Sequence, residues 1–139
     1  MNFIKTGNTY IVRLQKGDEI LSSIKNLCLT EKIKTAQISG LGAIGYLEAG
    51  FFKTSEMKYY LNKFEQDMEI LSLIGNITSM NNEPYLHVHI TVGDENGKAF
   101  GGHLNKAIIS VTGEIFITVY DAFVDRFKDE EIGINLMNI

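Results

Sequence analysis

All three histidines of this chain, His87, His89 and His103, fall within 17 residues of one another. Neutral imidazole is a common metal ligand and a proton carrier near neutral pH, so the question is whether one local fold brings the three rings together. His87 and His89 sit in Leu86-His87-Val88-His89-Ile90-Thr91-Val92-Gly93, where apolar and polar residues alternate strictly. That period of two, carried by β-branched residues, is the pattern of a half-buried strand. Asp94-Glu95-Asn96-Gly97 then supplies turn residues, and a second short run reaches Gly101-Gly102-His103-Leu104. The stretch reads as a β-hairpin.

Register decides what the histidines can do. A two-residue Asn96-Gly97 loop would place His103 opposite Ile90, on the apolar face. A three-residue loop, Glu95-Asn96-Gly97 with Gly97 left-handed, is the next most common hairpin connection. It pairs Asp94 with Lys98, Val92 with Phe100, His89 with His103 and Val88 with Leu104. One face then carries Val88, Ile90, Val92, Phe100 and Leu104, and the other carries His87, His89, Thr91 and His103. A one-residue slip would move every side chain to the other face, so the register that sorts both faces is preferred. Opposed Cβ atoms lie about 4.5–5.5 Å apart, and His87 and His89 are about 6.6 Å apart along the strand. Three rings can therefore converge on one divalent ion, with zinc–nitrogen bonds of about 2.0–2.1 Å. His87, His89 and His103 are the expected metal ligands, and three protein ligands leave a position open.

The segment Gly97 to Leu104, behind His87-Val88-His89 and a Gly-Asp turn, resembles the PPC domain, the plants-and-prokaryotes conserved domain, in its stand-alone bacterial and archaeal form. Ile38-Ser39-Gly40-Leu41-Gly42-Ala43 resembles the family's Ser-Gly-x-Gly turn. Glu69-Ile70-Leu71-Ser72-Leu73-Ile74-Gly75-Asn76 is similar to its E-I-L-S-L-x-G strand, and Gly113-Glu114-Ile115-Phe116 lies where the family has a late glutamate-bearing strand. The resemblance covers nearly the whole chain. It implies a compact α/β domain with a twisted antiparallel sheet, assembled as a homotrimer, with the three histidines as a metal site in which zinc is expected. The family also carries a DNA-binding association. In plants its domain follows AT-hooks, short Arg-Gly-Arg-Pro segments for the A·T minor groove, and this chain has no such segment.

The elements that position the hairpin follow from the rest of the chain. At 139 residues a single domain, 1–139, is expected. Thr9 to Leu14 reads as a strand. Asp18 is a plausible N-cap for a helix running to about Leu29, with Ile20, Leu21, Ile24, Leu27 and Cys28 as its apolar stripe. Thr35–Ser39, Tyr46–Phe52, Met57–Phe64, Glu69–Ser79, Ile108–Val111 and Glu114–Tyr120 read as further strands. Gly40-Leu41-Gly42-Ala43-Ile44-Gly45 is a literal G-x-G-x-x-G, but a dinucleotide site needs a helix to open there, and strand residues follow instead. These glycines are read as a tight strand connection. Lys128-Asp129-Glu130-Glu131 reads as a solvated turn. The expected class is α+β: a twisted, mainly antiparallel sheet of about seven strands with one main helix packed on it.

Composition narrows function. The formal net charge is −4, with Arg13 and Arg126 the only arginines, whereas a nucleic-acid footprint shows clustered basic residues. Direct DNA binding is therefore not expected. The lone Cys28 excludes an internal disulfide, and together with an N-terminus lacking an apolar core it leads to a cytoplasmic expectation. No apolar run approaches the length of a membrane span. Three readings remain: a metal-binding and assembly module with room for a small-molecule ligand, a DNA-associated regulator, and a metal-dependent enzyme using Glu48 or Glu114 as base. Tyr46, Phe51, Phe52, Tyr59 and Tyr60 form a candidate covered surface between subunits.

Overall fold

The computed structural model describes residues 1–139. Nine strands and one helix follow in the order β1 (Asn2–Thr6), β2 (Thr9–Gln15), α1 (Ile20–Glu31), β3 (Ala36–Lys53), β4 (Lys58–Phe64), β5 (Met68–Met80), β6 (Glu83–Gly93), β7 (Ala99–Val119), β8 (Asp125–Lys128) and β9 (Asn135–Asn138). All neighbouring strands pair antiparallel except β5 and β8, which meet at one parallel bridge, Ser79 with Asp125. The α+β class with a mainly antiparallel sheet and one helix is what the alternation and the single helical stripe predict.

The pairings close on themselves. β3 pairs with β5, β5 with β6, β6 with β7, and β7 again with β3. Ile38, Ile44, Leu47, Leu73, Ile77, Val88, Ile90, Leu104, Ile109, Ile115 and Ile117 point inward and are almost fully buried. α1 lies against β6 and β7 and adds Ile20, Ile24, Leu27 and Cys28 to the same core. Burial pushes the Cys28 thiol up to about 12, so it stays protonated and serves as a small apolar side chain.

Several sequence expectations change in detail, and the runs at Ile108–Val111 and Glu114–Tyr120 belong to one strand with the second arm of the histidine hairpin, β7. The helix cap is Glu19, not Asp18: its carboxylate accepts from the Leu21 and Ser22 amides at 3.1 and 2.7 Å, while Asp18 accepts from the Gln15 amide at 2.9 Å. The runs at Thr35–Ser39 and Tyr46–Phe52 are one strand, β3. Gly40 to Gly45 bends it through bulges without ending it. At Gly42 (φ 152°) a Cβ would sit 2.3 Å from the Thr112 carbonyl oxygen of β7, which leaves room for glycine alone. The run at Met57–Phe64 begins one residue later, because Met57 is left-handed and closes a 3-10 turn over Thr54–Glu56.

β1, β8 and β9 add to the expected strands. β8 and β9 form a terminal hairpin whose turn is held by Asp129 Oδ1, which accepts from the amides of Glu131 and Ile132 at 3.0 and 2.8 Å. The aromatic cluster is not core: Phe51, Tyr59 and Tyr60 are exposed, and Tyr46 and Phe52 are half-buried. No helix is long and apolar enough to cross a membrane.

Candidate metal centre

The β6–β7 hairpin has the three-residue loop. The Gly97 amide donates to the Asp94 carbonyl, the Asp94 amide to the Lys98 carbonyl, both at 3.0 Å, and Gly97 is left-handed at φ 76°. Asp94 Oδ1 also accepts from the Asn96 and Lys98 amides, each at 2.9 Å. The side chain thus fixes the turn, the turn fixes the register, and His89 stands opposite His103 with Val92 opposite Phe100. Val88, Ile90 and Val92 are buried on the inner side, which leaves the histidines on the outer face.

There the rings converge. Ring centroids are 5.1 Å apart for His87 and His89, 5.1 Å for His87 and His103, and 5.4 Å for His89 and His103. One ligand nitrogen from each ring lies within 4.8 Å of the others, and His87 Nε2 is 3.2 Å from His89 Nε2. Two nitrogens bound tetrahedrally to one zinc ion would lie about 3.3 Å apart, from zinc–nitrogen bonds of about 2.0–2.1 Å. The donor set fits a small divalent ion.

Electrostatics favours the neutral, ligand-competent rings. Burial pushes the His87 imidazole down to about 4, helped by the positive potential of His103, Arg126 and His89. Burial, then His89, also lowers His103. Ordinary imidazole would begin to protonate just below neutrality, whereas the His87 lone pair stays free well into the acid range.

The site is roofed on one side. A cavity of about 610 Å³ opens over the rings, with walls from Phe51, Phe52, Tyr59, Tyr85, Gly102 and Ile134 among others. A Cβ on Gly102 would meet the Gly50 carbonyl oxygen at 2.5 Å, so glycine there lets β7 and β3 close beside His103. Tyr59 meets the His103 ring edge-on, with centroids 6.2 Å apart, and its hydroxyl donates to Asn105 Oδ1.

Neither proposed carboxylate base is in the site. Glu48 accepts from the Tyr46 hydroxyl and pairs with Lys63 at 3.1 Å. Glu114 pairs across the sheet with Arg13 and Leu41. No Asp or Glu lines the cavity. Several residues of the site have little or no local signature. Arg126 of β8 is 7% exposed and donates to Thr78 Oγ1 at 2.7 Å, Asn76 Oδ1 at 3.0 Å and the Asn135 carbonyl at 3.0 Å. Its guanidinium stacks on Tyr85, 4.6 Å from the ring centroid. Tyr85 alone had a readable signal, since it precedes His87 by two residues and shares its face.

A small antiparallel barrel with one helix and a three-histidine donor set on its outer face defines a recognisable class. The sequence profile of the Plants and Prokaryotes Conserved (PCC) domain, the PPC domain above, matches residues 1–121. The chain belongs to this family. No curated protein matches it. Among solved structures, a candidate DNA-binding protein from Bacteroides thetaiotaomicron is 37% identical, with a TM-score of 0.96 over 99% of this chain and 96% of that one. A plant- and prokaryote-conserved (PPC) protein from Pyrococcus horikoshii is 33% identical, with a TM-score of 0.87 over 99% and 95%. A metal-containing protein from Archaeoglobus fulgidus is 26% identical, with a TM-score of 0.88 over 100% and 99%.

Because His87 falls from an ordinary value of 6.5 to about 4 on folding, the unfolded chain binds more protons between those values. Stability of the metal-free protein is then fully present above about 6.5 and declines as the pH falls toward 4. Urea denaturation in chelator at pH 7.0, 5.5 and 4.5 measures it. A His87→Gln variant is expected to lose part of that slope, and an unchanged slope would contradict the assignment.

Proposed function

We propose that this chain is a metal-binding PPC module whose His87, His89 and His103 hold one divalent ion, with zinc the expected ion. The observation that carries this reading is the convergence of three donor nitrogens within 4.8 Å on a rigid, fully paired hairpin. The metal-containing relative from Archaeoglobus fulgidus supports it. An ion with three protein ligands keeps a position open for water or a ligand atom. The chain's own residues supply orientation through register, burial that disfavours protonation of His87 and His103, and a partly apolar cavity over the rings. With no carboxylate in the cavity wall, binding is the activity proposed, in the cytoplasm, with a small molecule completing the site.

His103→Ala should abolish stoichiometric metal in the purified, untagged protein. Its metal-free stability should change by only about 1–2 kcal/mol, because the residue lies outside the core. Equal metal per chain in variant and parent would sink the assignment.

We further propose a homotrimer. The family resemblance is the first support, and the outer sheet face is the second. Leu41, Leu71, Ile74, Val111 and Phe116 are each about half exposed or more, and exposed apolar patches mark interaction surfaces. Ile11, Phe116, Ser39, Ile74, His89 and His103 lie on one continuous register row across the sheet, so a subunit seated on the apolar part would adjoin the metal site. Light scattering on the eluting peak should give three times the 15.6 kDa chain mass. A concentration-independent monomer would contradict it.

The DNA-binding descriptions of relatives do not transfer to duplex binding by this chain, in this reading. Lys and Arg supply most non-specific affinity for phosphate, and the net charge is −4. Titration of a labelled A·T-rich duplex at physiological salt should show no saturable binding. A dissociation constant near or below about 10⁻⁸ M, the specific range, would overturn this.

A further inference from the structure

Arg126 carries a nearly buried positive charge whose partners are all neutral: a hydroxyl, a side-chain amide, a backbone carbonyl and an aromatic face. No acidic side chain pairs with it within 4.0 Å. Its neighbour Asp125 points to the opposite side of β8, as successive strand residues do. A buried charge normally has a counter-charge, and a guanidinium has five N–H groups, of which three are used here.

The charge sits beside the metal cavity. Tyr85 and Asn135, both in contact with Arg126, are cavity walls. A divalent ion on three neutral imidazoles would add positive charge, and no acidic residue lines the space to offset it. The cavity wall therefore holds no counter-charge. A bare phosphate could pair with a guanidinium and a metal ion, but it would leave the apolar walls of this cavity without a partner. Those walls offer aromatic and aliphatic surface around about 610 Å³, a size suited to a small organic molecule.

We propose that this cavity takes a small organic carboxylate, its apolar body against Phe51, Phe52 and Ile134 and its charged end at the open position of the ion, on the Tyr85 and Asn135 side of the cavity behind which Arg126 lies. The proposal rests on the metal reading above and names its ligand class. Arg126, anchored between β5 and β9, sets the preference through its charge.

Benzoate and benzamide, alike in shape and different in charge, test it on cobalt(II)-loaded protein followed by visible absorption. Benzoate should bind at least about tenfold more tightly, the scale of one charge felt across several ångströms of partly wetted protein. Arg126→Lys should keep most of that preference. Arg126→Gln should lose about tenfold in benzoate affinity while its cobalt bands without benzoate match the parent's. Equal affinity for the two probes, or the same loss in Arg126→Lys as in Arg126→Gln, would overturn the proposal; the second result would make Arg126 only a clamp for the β8–β9 hairpin. If Arg126→Gln does not fold, the parent ratio and Arg126→Lys decide. If cobalt never binds, the metal reading fails by itself. Calorimetry of the metal-free parent then decides, with benzoate preferred over benzamide supporting the role of Arg126 and no preference ending it.

Discussion

Everything at the candidate centre depends on the register of one hairpin. Side chains alternate across a strand with a period of two, so a slip of one residue between β6 and β7 would turn His103 into the barrel and bring a different set of groups outward. Two independent constraints hold the register. Asp94 ties the turn by accepting two backbone amides, and Val88, Ile90 and Val92 are nearly completely removed from water. Exposing those three would cost about 1.5–3 kcal/mol each. The metal-ligand geometry is thus a by-product of core burial: the inner face is satisfied first, and the outer face follows.

Closure of the barrel converts that local register into a rigid site. β7 is paired with β6 along one edge at His103 and with β3 along the other, where Gly50 stands opposite. With strands on both sides, the backbone of His103 cannot shift away from His87 and His89 without breaking backbone pairing. The same closure demands residues without side chains at the crossing points. Gly42 and Gly102 both lie where a Cβ would meet a carbonyl oxygen of the neighbouring strand. Gly40 and Gly42 of the G-x-G-x-x-G run in β3 therefore have a steric origin in strand packing, and no helix opens there to receive a phosphate.

How much could be read in advance follows the range of the interactions. The histidine set, its facing, the loop length and the His89–His103 pairing were legible, because all lie in one hairpin with a clean alternation. The class of the fold and the stripe of α1 were legible for the same reason. Strand ends were not: bulges at Gly40–Gly45 let β3 run on where glycines suggest a connection, and Glu19 outcompetes Asp18 for the helix amides by one residue. Arg126 was not legible as part of the site, since its partners Asn76 and Thr78 are about fifty residues away in the chain. Glu48 and Glu114 were chosen for their chemistry without any pairing to place them, and tertiary structure commits Glu48 to Tyr46 and Lys63 and sets Glu114 opposite Arg13. Of the aromatic cluster grouped as a covered surface, Phe51, Phe52 and Tyr59 wall the cavity, which their sequence positions did not signal.

The central claim is that one ion is bound by three imidazoles in the hairpin register described. X-ray absorption at the zinc edge, on untagged protein purified without added metal, tests it most directly. Stoichiometric metal is predicted, with an outer shell characteristic of imidazole and about three nitrogen ligands near 2.0–2.1 Å, plus one further oxygen or nitrogen scatterer in the open position. A metal-free protein that also fails to take up added zinc, or a bound ion whose spectrum lacks the imidazole pattern, would contradict it.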